Sequence, residues 1–400
     1  MHPVPPVRIT GMGCLYAAGN SVAASIASLD AGVQSAVSPS FLDVETASPV
    51  FRADLPQNAP EGLRNPLLYE HCARTARMAA HAAGEALRDA GYAPGDLAGL
   101  RVGICLGTSV GTALNFSSFY LAQKAGQDEP LDPIDTYLFS NPAPALARML
   151  ETTGPVQSVT NACSSGTDAI GYGAEWIRSG RCDIVLCGGA DGLSRITYLG
   201  FGSLKLLSRE LCRPFDKNRM GLNLGEGAAV MVLESDARAK GRVCRGTILG
   251  YGTATDAWHL TAPHPDARGL TLALDQAAAQ AGIQNSEISF INAHGTATPT
   301  NDASEAKFFR TFFPDTPFVA TKGATGHTLA AAGAVEAVFA AKHLERGTLP
   351  ASPGFAETDP ELRLSPVASP LSVAGTVAMS QSLAFGGNNS VLLLGKGDAS

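Results

Sequence analysis

Short runs of β-branched and apolar residues, bounded by glycine, alternate along this chain with alanine-rich amphipathic segments. This alternation constrains the fold more than any other feature, because strands that alternate with helices build layered α/β sheets. The predicted strands are Arg101–Leu106, Val156–Thr160, Asp183–Cys187, Ala228–Leu233, Ile288–Asn292, Phe318–Ala320, Thr376–Met379 and Ser390–Leu394. The predicted helices are His71–Ala90, Ser164–Ser179, Leu270–Ala281, Asn301–Phe309 and Thr328–Arg346. We therefore expect an α/β fold.

Two parts of the chain share one pattern, in which a strand passes through a turn of small residues into a helix. The first runs from Val156–Thr160 into Ser164–Ser179, and the second from Phe318–Ala320 into Thr328–Arg346. A later strand and a pair of glycines follow in each case. The pattern predicts two related halves, although chance repetition would look the same.

The 400 residues are too many for one small core and suit one large domain or two fused halves. We predict an N-terminal half at residues 1–240 and a C-terminal half at residues 241–400. No proline- or serine-rich linker separates them, so we expect them to form one body. Hydrophobic residues make up 45% of the chain and charged residues 16%, which predicts a well-buried interior.

Several classes of protein are disfavoured by charge and hydropathy. A net charge of −7, without a cluster of lysines and arginines, argues against nucleic-acid binding. The longest apolar stretch, Leu329–Ala341, is too short to span a bilayer and contains Glu336. Met1–Thr10 carries three prolines and no apolar core of a signal peptide. The eight cysteines show no CxxC pair and no metal-type spacing, so we expect no metal, no disulfide framework and a cytoplasmic location.

Cys163 lies where a predicted strand enters a predicted helix through small residues, in Ser158-Val159-Thr160-Asn161-Ala162-Cys163-Ser164-Ser165-Gly166. At a helix N-terminus, unpaired N–H groups and the helix dipole stabilise a thiolate. This position predicts a reactive cysteine; a buried structural cysteine is the alternative.

A second motif, Asn292-Ala293-His294-Gly295-Thr296-Ala297-Thr298, follows a predicted strand. Functional residues of α/β proteins gather at the carboxyl ends of strands. His294 is therefore a candidate site residue, and the hydroxyls of Thr296 and Thr298 could bind a ligand that carries amides. A hydrogen-bonded structural histidine is the alternative.

Two further segments bring glycine beside reactive or bulky side chains. In Thr321-Lys322-Gly323-Ala324-Thr325-Gly326-His327, small residues would let Lys322 and His327 approach one point, and Glu336 is a candidate partner for Lys322. The order of a phosphate-binding loop is absent. In Leu383-Ala384-Phe385-Gly386-Gly387, a mobile backbone could offer N–H groups to an oxyanion, or form a plain turn.

A cysteine, two histidines and a lysine on the strand ends of one α/β chain have a coherent joint chemistry. A thiolate can attack a thioester while backbone N–H groups hold the oxyanion and histidine N–H donors stabilise an enolate. Hydrolysis of a thioester would use similar groups, and the residues alone leave both reactions open.

Taken together, these segments resemble the elongating β-ketoacyl-carrier-protein synthases, whose centre is Cys-His-His. The resemblance runs from Val7-Arg8-Ile9-Thr10-Gly11 to Leu394 and includes Arg213-Pro214-Phe215-Asp216 and Gly225-Glu226-Gly227. It implies a thiolase-like αβαβα layered sandwich of two related halves, which is dimeric. Initiating relatives have Cys-His-Asn, whereas the third position here is His327.

The resemblance also implies a role for each site residue. Cys163, in the N-terminal half, would carry the acyl chain, and the backbone N–H groups of Cys163 and Phe385 would form the oxyanion hole. His294 and His327, in the C-terminal half, would assist decarboxylation of a malonyl unit, with Lys322 and Glu336 fixing the histidine network. Contacts to the substrate are expected from Thr296, Thr298, Val110 and Phe201.

The implied reaction is a decarboxylative Claisen condensation of an acyl thioester held on Cys163 with malonyl-[acyl carrier protein], which gives a 3-ketoacyl-[acyl carrier protein] two carbons longer, in fatty-acid or type II polyketide synthesis. No cofactor would be tightly bound, because the substrates hang on the carrier's phosphopantetheine. The expected partners are the acyl carrier protein and a second subunit, either another copy or a chain-length-factor-like chain.

Departures from the common elongating pattern bear on the pathway. Ala384 stands where many relatives have glycine, Leu383 replaces an aromatic residue, and Arg219-Met220-Gly221-Leu222 replaces Arg-Asp-Gly-Phe. The Gly-Leu-Asn-Leu-Gly-Glu-Gly block is similar to ketosynthases of aryl-polyene and related type II polyketide clusters. For docking the carrier, the candidate cations are Arg74, Arg77, Arg209 and Arg213.

Two other members of the same fold are alternatives. A non-catalytic chain-length-factor-like subunit would typically lack the reactive cysteine, whereas Cys163 and both histidines are present. A thiolase would need a second cysteine near the C-terminus, and no cysteine follows Cys244.

Overall fold

A computed structural model describes residues 4–45, 47–110, 117–128 and 130–397. The strands are β1 (Val7–Tyr16), β2 (Ala36–Val37), β3 (Val50–Phe51), β4 (Val102–Gly107), β5 (Val156–Val159), β6 (Ile184–Asp191), β7 (Gly227–Glu234), β8 (Gly246–Thr255), β9 (Phe290–Asn292), β10 (Phe318–Val319), β11 (Thr348–Leu349), β12 (Leu371–Ser372), β13 (Val377–Leu383) and β14 (Asn388–Lys396). The helices are α1 (Val22–Asp30), α2 (Leu67–Glu70), α3 (Arg74–Asp89), α4 (Ser117–Lys124), α5 (Asp132–Phe139), α6 (Pro142–Leu150), α7 (Ser165–Arg178), α8 (Arg195–Ser203), α9 (Asp236–Ala239), α10 (Arg268–Ala281), α11 (Pro299–Phe312), α12 (Lys322–Thr325) and α13 (Ala332–Arg346).

One ten-stranded sheet has the order β10-β9-β13-β14-β8-β1-β7-β6-β4-β5. It consists of two five-stranded halves with the same arrangement. Read from each outer edge toward the centre, the order is β10-β9-β13-β14-β8 in one half and β5-β4-β6-β7-β1 in the other, so each half places its third strand along the chain at the edge, followed by its second, fourth, fifth and first. In each half the third, second and fourth strands run parallel and the last two pairings are antiparallel. Antiparallel pairing of β1 with β8 joins the halves. The predicted internal duplication is therefore real; the boundary at residue 240 stays a prediction.

Helices form three layers around the two halves of the sheet. α3 packs outside the N-terminal half and α10 outside the C-terminal half, while α7 and α13 lie together between them. The two central helices are buried on nearly all sides, as expected for helices covered on both faces by sheet. The predicted thiolase-like αβαβα sandwich is confirmed.

The central helices approach each other through glycine. A Cβ atom added at Gly166 of α7 would lie 2.5 Å from Ala330 O, and one added at Gly333 of α13 would lie 2.0 Å from Thr167 Oγ1. Any larger side chain at these positions would push the helices apart. This close approach brings the N-terminal ends of both helices, and the residues just before them, to one place.

Glycine also explains why β1 and β8 are absent from the strands predicted on the sequence. Added Cβ atoms at Gly11 and Gly13 of β1 would lie 2.1 and 1.9 Å from carbonyl oxygens of α3. Those at Gly250 and Gly252 of β8 would lie 2.1 and 2.0 Å from carbonyl oxygens of α10. Glycine weakens a strand signal, but it lets the covering helix pack directly on the backbone.

Candidate active site

The Cys163 side chain lies at the N-terminal entrance to α7. A 3₁₀ turn, Ala162–Ser164, leads into the helix, and Ala162 has a left-handed φ of 48°. Ser165 Oγ accepts a hydrogen bond from Asn161 N at 2.8 Å and donates one to Ala162 O at 2.6 Å, which holds this sharp turn. The turn places Cys163 at the floor of a cavity, where it is only 5% exposed.

His327 lies directly against this cysteine. Its Nε2 is 3.1 Å from Cys163 Sγ, and its Nδ1 accepts the backbone N–H of Leu329 at 3.1 Å. Because Nδ1 is an acceptor, the proton of the neutral ring is on Nε2. His327 therefore points an N–H donor at the cysteine.

His294 is fixed in the corresponding way by a buried ion pair. Lys322 Nζ lies 3.1 Å from His294 Nδ1, 2.5 Å from His294 O and 2.5 Å from Glu336 Oε1. An ammonium group can only donate, so His294 Nδ1 accepts and its Nε2 carries the proton. The two imidazole rings are 5.2 Å apart at 82°. Both histidines thus present Nε2–H groups in the same neighbourhood.

Burial, helped by a neighbouring positive charge, keeps both histidines neutral. Burial, followed by the positive charge of Lys322, holds the pKa values of His294 and His327 well below the usual value. Burial also raises the pKa of the Glu336 carboxyl to about 7, against the opposing charge of Lys322. Neutral imidazoles with a protonated Nε2 are suited to hydrogen-bonding a developing oxyanion rather than to carrying a full charge.

Two opposing influences act on the pKa of the Cys163 thiol. Burial raises its pKa to about 11, while Lys322 and the backbone N–H groups of Phe385 and Cys163 favour the thiolate. The N-terminus of α7 acts in the same direction as these donors. The free enzyme therefore holds mainly thiol at neutral pH.

We expect alkylation of Cys163 by iodoacetamide to accelerate by about tenfold per pH unit between about pH 6 and pH 9, because the thiolate fraction rises with pH below the thiol pKa. The measurement is the second-order labelling rate at Cys163, followed by peptide mass spectrometry. A plateau in this range would mean that the local donors outweigh burial.

Phe385 forms part of the wall of the cavity that contains Cys163. Its ring stacks on that of Phe201, with centroids 5.3 Å apart and planes at 20°. The cavity encloses only about 40 Å³, and its walls include Cys163, both histidines, Thr296, Thr298, Phe201 and Phe385. Gly386 and Gly387 follow with positive φ angles of 85° and 82°, which favour glycine. An acyl chain needs more room than this, and the assignment of Phe385 as the gate that opens for it stays a prediction.

The structure thus brings together all but one of the predicted site residues. Cys163, His294, His327, Lys322, Glu336, Phe385, Phe201, Thr296 and Thr298 share one neighbourhood, and the two threonine hydroxyls are 2.8 Å apart. Val110 is half-buried and is not among the residues that line this cavity. Its assignment to the substrate stays a prediction.

Glu305 supports the site although it was not predicted. Its carboxylate, buried on α11, accepts the backbone N–H groups of His294 and Gly295, each at 2.7 Å. The side chains of Asn301 and Gln381 donate to it at 2.6 and 2.7 Å. Glu305 therefore holds the strand end that carries His294. Its position within a helix that begins five residues after His294 is the only sequence signal it offers.

Asp191 plays a similar part for His327. It lies at the end of β6 and accepts Ala330 N at 2.9 Å, next to the Leu329 N–H that fixes His327. Thr108 Oγ1 donates to the same carboxylate at 2.9 Å and Ser109 N at 3.0 Å. One buried carboxylate therefore ties the turn behind His327 to the loop after β4.

The four arginines predicted to dock the carrier protein differ in their burial and in their ion-pair and hydrogen-bond partners. Arg74 is half-buried and bonded to the buried Glu226, and Arg77 donates to the backbone carbonyls of Cys72 and Glu70. Arg213 pairs with Glu210 at 3.3 Å. Arg209 is exposed and has no ion-pair partner among the described residues.

Neither a membrane helix nor a metal cluster is found in the described ranges. None of the described helices has the combination of length and hydrophobicity needed to cross a bilayer. Likewise, the described residues contain no group of three or more histidines, cysteines or acids arranged to hold a metal ion.

The layered fold and the cysteine–histidine–histidine centre together define a class, the thiolase-like condensing enzymes. The model of the β-ketoacyl synthase N-terminal domain matches residues 5–239, and that of the C-terminal domain matches residues 245–356. This chain belongs to the β-ketoacyl synthase family.

The relatives come from both fatty-acid and polyketide synthesis. The chain is 32% identical to 3-oxoacyl-[acyl-carrier-protein] synthase 2 of Staphylococcus aureus, over 98% of this chain and 99% of that one. It is 33% identical to the ketoacyl synthase alpha subunit of the tetracenomycin polyketide synthase of Streptomyces glaucescens, over 91% and 90%. The ishigamide ketosynthase/chain length factor structure superposes with a TM-score of 0.90 at 32% identity, covering 98% of this chain and 99% of that one. The chain is therefore a ketosynthase, an acyltransferase of fatty-acid or type II polyketide synthesis.

Proposed function

We propose that this enzyme condenses an acyl group held on Cys163 with malonyl-[acyl carrier protein] and releases carbon dioxide. The observation that carries this proposal is the contact of His327 Nε2–H with Cys163 Sγ at 3.1 Å, with a second donor, His294, beside it. A nucleophile and two neutral N–H donors, all buried around one cavity, suit a reaction that forms a thioester and then an enolate.

Acyl transfer is the first half-reaction. Cys163 Sγ attacks the carbonyl carbon of the incoming thioester as the thiolate, and the resulting oxyanion lies near the backbone N–H groups of Cys163 and Phe385. Both N–H groups favour the Cys163 thiolate and lower the pKa of its thiol, which supports their assignment to the oxyanion hole. Collapse of the adduct breaks the old C–S bond, and the pantetheine thiolate leaves and takes up the proton released from Cys163.

Decarboxylation and condensation follow at the same place. The thioester oxygen of the malonyl unit accepts hydrogen bonds from His294 and His327, so that the electron pair of the breaking bond to carbon dioxide is held as an enolate. The enolate carbon attacks the acyl-Cys163 carbonyl, the C–S bond breaks, and Cys163 is regenerated. The product is a 3-ketoacyl chain two carbons longer, and no metal, nucleotide or tightly bound cofactor takes part.

The Lys322–Glu336 pair serves this chemistry because Lys322 donates to His294 Nδ1, which keeps the proton of the His294 ring on Nε2. Both side chains are about 1% exposed, and Lys322 donates to His294 rather than facing the cavity. Thr296 and Thr298 line the cavity and are suited to hydrogen-bonding the amides of the phosphopantetheine arm.

A second subunit of the same fold completes the enzyme in this proposal. The edge strand β5 ends the sheet, and the preceding helices α4 and α5 carry exposed apolar side chains, among them Leu121, Leu138 and Phe139 at 57%, 62% and 56%. Chain-length-factor pairing is named for the ishigamide relative, which favours a heterodimer; another copy of this chain would give a homodimer. In this proposal the substrates are bound to the carrier protein and the reaction takes place in the cytoplasm. The pathway is an aryl-polyene or related type II polyketide pathway.

A reconstituted reaction tests the proposed function. Incubation with acyl- and malonyl-carrier proteins should yield a 3-ketoacyl-carrier protein together with one carbon dioxide per turnover, both detected by mass spectrometry with labelled malonyl. The experiment is run with the chain alone and with a co-expressed chain-length-factor-like partner. Acyl hydrolysis without chain extension in both preparations would replace this proposal with thioester hydrolysis, and no covalent chemistry in either would favour a non-catalytic subunit.

A further inference from the structure

Asp168 is a buried carboxylate that the mechanism above does not use. It lies in the first turn of α7, shortly after Cys163 in the chain, and its side chain is fully buried. None of the ion pairs among the described residues includes it. A carboxylate removed from water needs hydrogen-bond donors in compensation. The groups that supply these donors therefore indicate what Asp168 does.

One carboxylate oxygen binds the turn that carries the nucleophile, residues 161–164, which we call the nucleophile turn. Asp168 Oδ2 accepts the side-chain amide of Asn161 and the hydroxyl of Ser164, both at 2.9 Å. Between these two residues lie Cys163 and Ala162, whose left-handed φ of 48° is unfavourable for a residue with a Cβ atom. The two hydrogen bonds therefore hold a strained turn at both of its ends.

The other carboxylate oxygen binds the C-terminal half of the sheet. Asp168 Oδ1 accepts the phenol of Tyr251, on β8, at 2.8 Å and the hydroxyl of Ser390, on β14. Burial, followed by the negative charge of Asp168, raises the pKa of the Tyr251 phenol well above its usual value, so the phenol stays protonated and donates. The Tyr251 ring lies against α7 at Gly171, where an added Cβ atom would be 2.4 Å from it. Asp168 thus connects the nucleophile turn with two strands of the half that carries both histidines.

The two histidines are fixed by other groups. Lys322 and the backbone N–H of Leu329 hold their rings, and neither contact involves Asp168 or its four donors. Asp168 is also not among the residues that line the active-site cavity. Its influence on the chemistry is therefore confined to where the nucleophile turn places Cys163 Sγ.

We propose that Asp168 is a positioning residue that clamps the nucleophile turn to β8 and β14 and so sets the place of Cys163 Sγ for acyl loading. The inference rests on the proposed function, in which Sγ attacks a thioester beside the backbone N–H groups of Cys163 and Phe385. Attack requires the sulfur, the carbonyl carbon and these donors in one geometry, and a misplacement of about 1 Å can cost about 10²-fold in rate. Decarboxylation depends on the two histidines instead, so it should be much less sensitive to Asp168.

The first test compares Asp168→Leu with Asp168→Asn. Leucine leaves all four donors without a partner. Asparagine can accept from Asn161 and Ser164 with its oxygen, while its amide donates to the hydroxyls of Tyr251 and Ser390, which can rotate to accept. We expect Asp168→Leu to slow loading from acyl-carrier protein by about 10²-fold or more, and Asp168→Asn to load within about fivefold of the wild-type rate. Both should decarboxylate malonyl-carrier protein, supplied without an acyl donor, within about threefold of the wild-type rate.

Tyr251→Phe keeps the test decisive if Asp168→Leu fails to fold. It removes only the phenol oxygen, and we expect loading to slow by about tenfold with decarboxylation within about threefold of wild type. The matched control is Tyr92→Phe, which removes a phenol 3.0 Å from another buried carboxylate, that of Glu234, outside the cavity. The control should change neither step.

Hydrogen–deuterium exchange tests the clamp without any reaction. Peptides that cover residues 159–166 should exchange about tenfold faster or more in Tyr251→Phe, while those that cover residues 325–331 should not change. Wild-type loading in the folded variants, equal loss of loading and decarboxylation, or failure of Asp168→Asn to restore loading would each overturn the proposal. If the wild type itself forms no acyl adduct, the proposed function fails, and exchange alone decides the clamp: faster exchange confined to the nucleophile turn upholds it, and unchanged exchange overturns it.

Discussion

Replacing Cys163 with alanine is expected to abolish covalent loading. The wild type incubated with acyl-carrier protein should gain the mass of one acyl group, and Cys163→Ala should gain none. The reason is that the thiol is the only nucleophile at the floor of the cavity among the described residues, since the histidines beside it are neutral donors. Condensation should fall by at least about 10³-fold, as for loss of a nucleophile elsewhere.

Cys244→Ala is the matched control for this experiment. Cys244 is buried outside the site, with its thiol 3.1 Å from Gly246 O, so its loss should leave loading intact. Retained adduct on Cys163→Ala would overturn the nucleophile assignment, and peptide mapping of that adduct would identify the residue that carries it.

Replacing His327 with alanine is expected to separate the two half-reactions. Decarboxylation of malonyl-carrier protein should fall by about 10²–10³-fold, the range typical for loss of one oxyanion donor, while loading of Cys163 should fall much less. The physical reason is that, in the proposed mechanism, His327 Nε2–H donates to the enolate oxygen, whereas the backbone N–H groups of Cys163 and Phe385 act in the loading step. The measurement is release of labelled carbon dioxide beside intact-mass loading.

Two companion variants sharpen this result. His327→Asn keeps a side-chain N–H donor and should retain more decarboxylation than His327→Ala. His71→Ala removes an exposed histidine outside the site and should change neither step. Equal loss of loading and decarboxylation in His327→Ala would contradict the assignment of this residue to the enolate.

Much of the fold could be predicted from local patterns. Apolar runs and glycine-bounded turns identified most strands of the sheet, and the repeated strand–turn–helix unit indicated the duplication. The strands β1 and β8 were missed because their glycines, which weaken a strand signal, exist to admit α3 and α10. That requirement is a property of packing between elements far apart in the chain.

The positioning residues were missed for a related reason. Glu305 and Asp191 show no motif, because each acts by accepting backbone N–H groups from other segments. In the sequence, a carboxylate of this kind cannot be told apart from an ordinary acidic residue on a helix or at the end of a strand, because its N–H donors belong to other segments. The same holds for the stacking of Phe201 on Phe385, since the two residues belong to different segments.

The sequence by itself determined which residues can react: a cysteine at a helix entrance, histidines after two strands, a lysine, and glycines beside a phenylalanine. These are local features, encoded by residue type and by the small residues around each one. Only the tertiary structure decided that His327 and Cys163, 164 residues apart, meet at 3.1 Å, and that Leu329 and Lys322 fix the protons on the outer nitrogens. The physical reason is that distance and tautomer depend on the glycine-mediated packing of α7 on α13, which no local segment contains.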